Sequence, residues 1–87
     1  MKGKPKVSVV IAAYNEEETV DYVFKDLIKN FLAKASYDVE VIFVDDGSTD
    51  RTLERASKYG IAKIVRNEVN IGKGYAVKRG IAASSGE

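Results

Sequence analysis

The chain has 87 residues, 14 basic against 13 acidic, a formal charge of +1 and 45% apolar residues. That balance excludes a disordered charged tail and wholesale nucleic-acid binding, and no apolar run approaches the roughly 20 residues that span a bilayer. Cysteine and histidine are both absent, which removes disulfides, thiolate and imidazole metal ligands and every scheme built on a histidine base. Chemistry is left to carboxylates, lysine, arginine, tyrosine, hydroxyls and backbone.

The basic start Met1-Lys2-Gly3-Lys4 precedes a short strand-like run without a cleavage site, so no signal peptide is expected. Lys6 to Ala13 is a β-branched strand. Asn15 is expected to cap a helix, with Glu18 as its capping-box partner. That helix runs to about Lys34 on a stripe of Val20, Val23, Phe24, Leu27, Ile28, Phe31, Leu32 and Ala35, which recur at i, i+3 and i+4. After Ser36-Tyr37-Asp38, a second strand covers Val39 to Val44, apolar enough to be buried on both faces. Gly47 supplies a turn, and Ser48 or Thr49 caps a second helix that ends at Tyr59 with Gly60 as its C-cap. A third strand, Ala62 to Arg66, is interrupted by Lys63 and Arg66 and reads as an edge. Asn70 is expected to cap a third helix, Ile71 to about Ser84, whose Ala76, Gly80 and Ala83 form a small-residue face suited to close packing on a sheet. Strict alternation of strand and helix predicts an α/β fold with a parallel sheet and right-handed crossovers.

In that topology three loops leave the same end of the sheet, the rim where such folds bind ligands. They are Ala12 to Glu16, Asp45-Asp46-Gly47 and Asn70 to Gly74. Adjacent strand residues point to opposite sides, so a bare turn needs at most one of the two aspartates. The loops together offer an aromatic ring (Tyr14), three carboxylates (Glu16, Asp45, Asp46), a lysine (Lys73) and a glycine-rich helix start. A carboxylate accepts from a base ring N–H or from ribose hydroxyls, and lysine with helix N-terminal amides suits phosphate. Taken singly, each element has a plainer reading: Asp-Gly-Ser-Thr-Asp as turn chemistry, Glu16 and Asp50 as helix-dipole acids, Gly72-Lys73-Gly74 as an ordinary helix start. The dinucleotide fingerprint and the Walker A pattern are both absent. Joint placement favours a nucleotide site.

Three segments, Val7 to Glu16 (VSVVIAAYNE), Val44 to Asp50 (VDDGSTD) and Asn70 to Gly80 (NIGKGYAVKRG), resemble the N-terminal part of family 2 glycosyltransferases. The third is most similar to the branch that makes dolichyl-phosphate glucose or mannose. The resemblance covers nearly the whole chain. It implies the N-terminal half of a GT-A fold, a three-layer Rossmann-like β-α-β-α-β-α arrangement with strand order 3-2-1, and a UDP- or GDP-sugar donor. By the same resemblance Ala12, Tyr14 and Glu16 line the nucleoside pocket, Val44 and Asp46 contact base or ribose, and Lys73 lies nearest the diphosphate. Asp45 joins this nucleotide-binding set through its place in the rim. Proline is common in the family where this chain has Ala12, which loosens one pocket wall.

The family's metal-binding Asp-x-Asp and its catalytic base are expected beyond Glu87. Hence neither a catalytic residue nor a metal ligand is assigned to this chain, and one truncated domain, inactive alone, is expected. The intact enzyme would use Mg or Mn and an acceptor such as polyprenyl phosphate, in the cytoplasm or at the cytoplasmic face of the membrane. Two other classes compete. A non-catalytic nucleotide-binding module fits the same rim. A receiver-like signalling domain fits poorly, since its acid pair follows the first strand. Without a fourth strand against it, Lys6 to Ala13 is an exposed edge, which predicts homo-oligomers. The helix stripe, Phe24, Leu27 and Phe31 above all, is expected to be partly bare.

Overall fold

The computed structural model describes residues 6–34 and 38–84. Six elements follow in order: β1 (Lys6–Ala13), α1 (Val20–Asn30), β2 (Asp38–Asp46), α2 (Thr52–Ser57), β3 (Ala62–Asn67) and α3 (Lys73–Ala83). The strands form one parallel sheet with β2 in the middle, the expected 3-2-1 order read from the β3 edge. Ala12 lies opposite Val44 and Ala13 opposite Asp45, while Asp45 and Asp46 face Arg66 and Asn67 on β3.

The period-2 alternation of β2 divides the core in two. Phe43 points to one face, where it packs with Val20, Phe24 and Ala56. Ile42 and Val44 point to the other, where they meet Ala76 of α3. The result is three layers, α1 and α2 on one side of the sheet and α3 on the other. Small residues let α3 come close: a Cβ on Gly80 would collide with Val10 Cγ1 and crowd Val44 Cγ2. From Val41 to Ser48 the central segment is buried throughout. Among the described residues, no helix is long and apolar enough to cross a membrane.

The helices are shorter than the sequence predicts. Asn15 is not the cap of α1. Its φ is 51°, and the helix begins four residues later behind Thr19, whose N–H, like that of Val20, donates to the Glu16 carbonyl. α1 ends at Asn30 and a 3-10 turn, Leu32–Lys34, follows. Ala35, Ser36 and Tyr37 lie outside the described residues. α2 spans only Thr52–Ser57, although Gly60 takes the expected positive φ of 68°. α3 starts at Lys73 behind Gly72, not Asn70.

Phe24 also departs from expectation. It is fully buried, stacked on Tyr59 with centroids 4.9 Å apart and set at 41° to Phe43. Leu27 and Phe31 are half-buried. The bare part of the stripe is Val23 and Ile28, 39% and 38% exposed.

Candidate functional site

The rim is built around the sharp turn after β2. Gly47 has a φ of 77° and packs so closely against the next loop that a Cβ would run into the backbone of Val69 and Asn70. Only glycine tolerates both conditions.

The first two rim loops are stapled to each other by side chain–backbone bonds. Asn15 donates its N–H to Ser48 Oγ (2.9 Å), and its Oδ1 accepts the Thr49 N–H (2.8 Å). Glu16 N–H donates to Thr52 Oγ1 at 2.7 Å, and Glu17 Oε1 accepts the Arg51 N–H at 2.9 Å. These bonds explain the late helix starts: the residues expected to cap their own helices bond across to the neighbouring loop. Asp50 does the local work at α2, where its Oδ1 accepts the Thr52 N–H at 2.9 Å.

Asp46 ties the third loop to the sheet. Its Oδ1 accepts from Asn67 Nδ2 (2.7 Å) and the Ile71 N–H (3.1 Å). Its Oδ2 accepts from Asn70 Nδ2 (3.0 Å) and the Gly72 N–H (2.9 Å). Four donors fill the lone-pair capacity of a carboxylate. The Asn67 bond, helped by the Gly72 and Ile71 amides, holds this carboxyl below the usual aspartate range although burial pushes it up.

A cleft of about 340 Å³ opens between the loops, lined by Ala12, Tyr14, Glu16, Asp46, Asn70 and Lys73 among others. This is the small end of the range for ligand clefts. Ala12 forms its floor on the α3 side of the sheet, Tyr14 and Glu16 stand exposed on one wall, and Lys73 stands at the start of α3 on the other. Five of the seven residues expected at the site therefore meet here.

The other two do not line the cleft. Val44 is fully buried in the core under Ala76. Asp45 points to the α1–α2 face, as alternation along β2 requires, so the two aspartates diverge. Both Asp45 oxygens are buried without a hydrogen bond among the described residues, and Arg66 Nε lies 3.6 Å from Oδ2. Sequence reading placed Asn70 and Gly72 in the third rim loop without their bonds to Asp46, and missed Asn67 altogether. The signal available was the register, since Asn67 follows Arg66 by one residue just as Asp46 follows Asp45.

A family model, glycosyl transferase family 2, matches residues 8–87. The chain belongs to this family. Its sheet and helix layers are the N-terminal half of a GT-A fold. Among curated relatives, dolichol-phosphate mannosyltransferase of Pyrococcus furiosus is 42% identical over 86 residues, covering 94% of this chain and 23% of the relative. Among solved structures, glucosyl-3-phosphoglycerate synthase of Mycobacterium tuberculosis, in complex with Mn²⁺, UDP-glucose and glycerol 3-phosphate, is 37% identical with a TM-score of 0.74, covering 97% of this chain and 31% of that one. A mannosyltransferase of Pyrobaculum calidifontis, in complex with GDP-Man and Mn²⁺, has a TM-score of 0.78 at 21% identity, covering 100% of this chain and 26% of that one. The chain thus spans about a quarter of the length of the family members it matches.

Mn²⁺ in those two structures raises the question of a cation here. Among the described residues no group of three acids is placed to hold a metal. Asp45 and Asp46 do not fit one, because they face opposite layers and Asp46 is already filled by N–H donors.

Proposed function

We propose that this chain forms the donor-nucleotide half-site of a glycosyltransferase that moves a hexose from a UDP- or GDP-sugar to an acceptor such as polyprenyl phosphate. The observation that carries the reading is the convergence of Ala12, Tyr14, Glu16, Asp46 and Lys73, from three separate loops, around one cleft. Tyr14 offers a ring face to a base, and Glu16 an exposed carboxylate to ribose hydroxyls. Lys73 and the first amides of α3 offer positive potential to a diphosphate. Asp46 serves this site from below, through the loop Asn70 to Gly72 that it anchors, and Val44 through the packing of the sheet beneath α3. The relatives' names support a lipid-phosphate acceptor and a nucleotide-sugar donor, with the cytoplasmic face of the membrane as the proposed place of action. A divalent cation in the whole enzyme would come to ligands outside the residues described here.

Calorimetric titration with UDP and GDP tests the reading. Saturable binding of one of them, lost in Tyr14→Ala and weakened in Lys73→Ala, is expected; no heat with either would overturn it. A second assay separates a transferase half-site from a complete enzyme. The 87-residue chain, given labelled UDP- or GDP-hexose, Mn²⁺ and a polyprenyl phosphate, is expected to yield no lipid-linked sugar above a blank. Turnover would place the catalytic groups within this chain. Binding without turnover also in the longest natural polypeptide that carries it would favour a non-catalytic nucleotide-binding module.

A further inference from the structure

The hydrogen-bond chain that reaches Asp46 begins outside the cleft, on α3. Asn67 is 3% exposed and Asp46 2%, and they are register partners across β2 and β3. While Asn67 Nδ2 donates to the carboxylate, its Oδ1 faces the other way and accepts from Nη1 of Arg79. The same nitrogen donates to the Arg66 carbonyl at 3.3 Å. None of the ion pairs among the described residues involves Asp46, and the Arg79 guanidinium is linked to it only at one remove, through the buried Asn67 amide.

This arrangement is directional. If the Asn67 amide were turned over, its oxygen would meet the Asp46 carboxylate and its NH₂ would meet the guanidinium. Both contacts would be repulsive. Arg79 and Asp46 together fix which way Asn67 points, one at each end of the amide. Asn67 in turn fixes one side of the carboxylate whose other bonds hold Asn70, Ile71 and Gly72. Asn70 and Gly72 line the cleft beside Lys73. A shift at Arg79 is transmitted to the cleft wall through two buried side chains, although Arg79 does not itself line the cleft.

We infer that Arg79 is a positioning residue for the nucleotide cleft, acting through Asn67 and Asp46 on the loop Asn70 to Gly72. The inference rests on the proposed nucleotide reading for its affinity arm only. Arg79→Met removes the donor, and Arg79→Lys keeps a cationic donor at the same position. In the folded 87-residue chain, Arg79→Met is expected to move the Ile71 and Gly72 amide resonances and to weaken UDP or GDP binding roughly three- to tenfold, the loss of about one hydrogen bond. Arg79→Lys is expected to restore both toward wild type, which a merely stabilising surface arginine would not require. Unmoved Ile71 and Gly72 resonances in Arg79→Met, or a lysine variant as displaced as the methionine one, would overturn the inference. If the methionine variant does not fold, Asn67→Ser carries the same test with the same expected displacement. If wild type binds neither nucleotide, the functional reading fails, and the amide resonances still decide whether Arg79 positions the loop.

Discussion

Asp46 Oδ2 and the backbone N–H of Gly72 lie 2.9 Å apart across 26 residues of sequence. The carboxylate that ends β2 is thus the anchor of the loop that starts α3, and the cleft wall depends on it. Asp46→Asn leaves one acceptor where there were two and sets an NH₂ against N–H donors. We expect it to weaken UDP or GDP binding about tenfold or more. Asp45→Asn, which faces the α1–α2 layer, should change affinity far less. Calorimetry on both variants checks this, and equal losses would count against the assignment.

Gly47 and Gly74 make a contrasting pair. Alanine at Gly47 must adopt a φ of 77° and displace the backbone of Val69 and Asn70, which should cost about 2 kcal/mol or more. Alanine at Gly74, inside α3 with nothing within 4 Å of its Cβ position, should stabilise by roughly 0.5–1 kcal/mol. Urea unfolding of the two variants should therefore move in opposite directions.

Two polar contacts set opposite limbs of the pH profile. Asp46, held low first by Asn67, and Asp21, held low first by the Tyr59 hydroxyl and then by Lys58, both have depressed pKa values. Their stabilisation is present above the unfolded aspartate value of about 3.9 and is lost as pH falls through the lower folded values. Tyr59 is shifted upward, first by its hydrogen bond to Asp21, at 2.6 Å. Its contribution is present below the unfolded tyrosine value of about 10 and is lost as pH rises through the folded one. The urea midpoint should be flat between about pH 5 and 9 and fall on both sides. Tyr59→Phe should remove the alkaline fall attributable to this pair while leaving the acid fall that Asp46 causes.

Among the described residues β1 has a strand partner on one side only, and the apolar groove beside it is lined by Val9, Ile11, Val23, Leu27 and Phe31. We propose that the isolated 87-residue chain associates with its own copy through this edge, since an apolar unpaired strand templates pairing. Light scattering after size exclusion at tens of micromolar should give at least a dimer mass. Val9→Lys, a charge on that edge, should return the monomer; a monomeric wild type would refute the proposal.

The fold was legible because its signals are local and repetitive. Alternation along Val41 to Asp46 sets which side chains share a face, so a buried central strand and diverging aspartates follow from the chain itself. The small residues Ala76 and Gly80 announced a close helix for the same reason. The roles of the asparagines were not legible. Asn15 and Asn70 have the side chains of helix caps, and a cap competes with any other backbone amide or carboxylate that folding brings within 3 Å. Asn15 met Ser48 and Thr49, and Asn70 met Asp46, partners 24 to 34 residues away. Likewise Arg79 reads as one more surface cation until α3 lies on the sheet and sets it against Asn67. Local pattern determined the elements and their faces; only tertiary structure, by choosing among equivalent donors and acceptors, decided which of these polar side chains build the cleft.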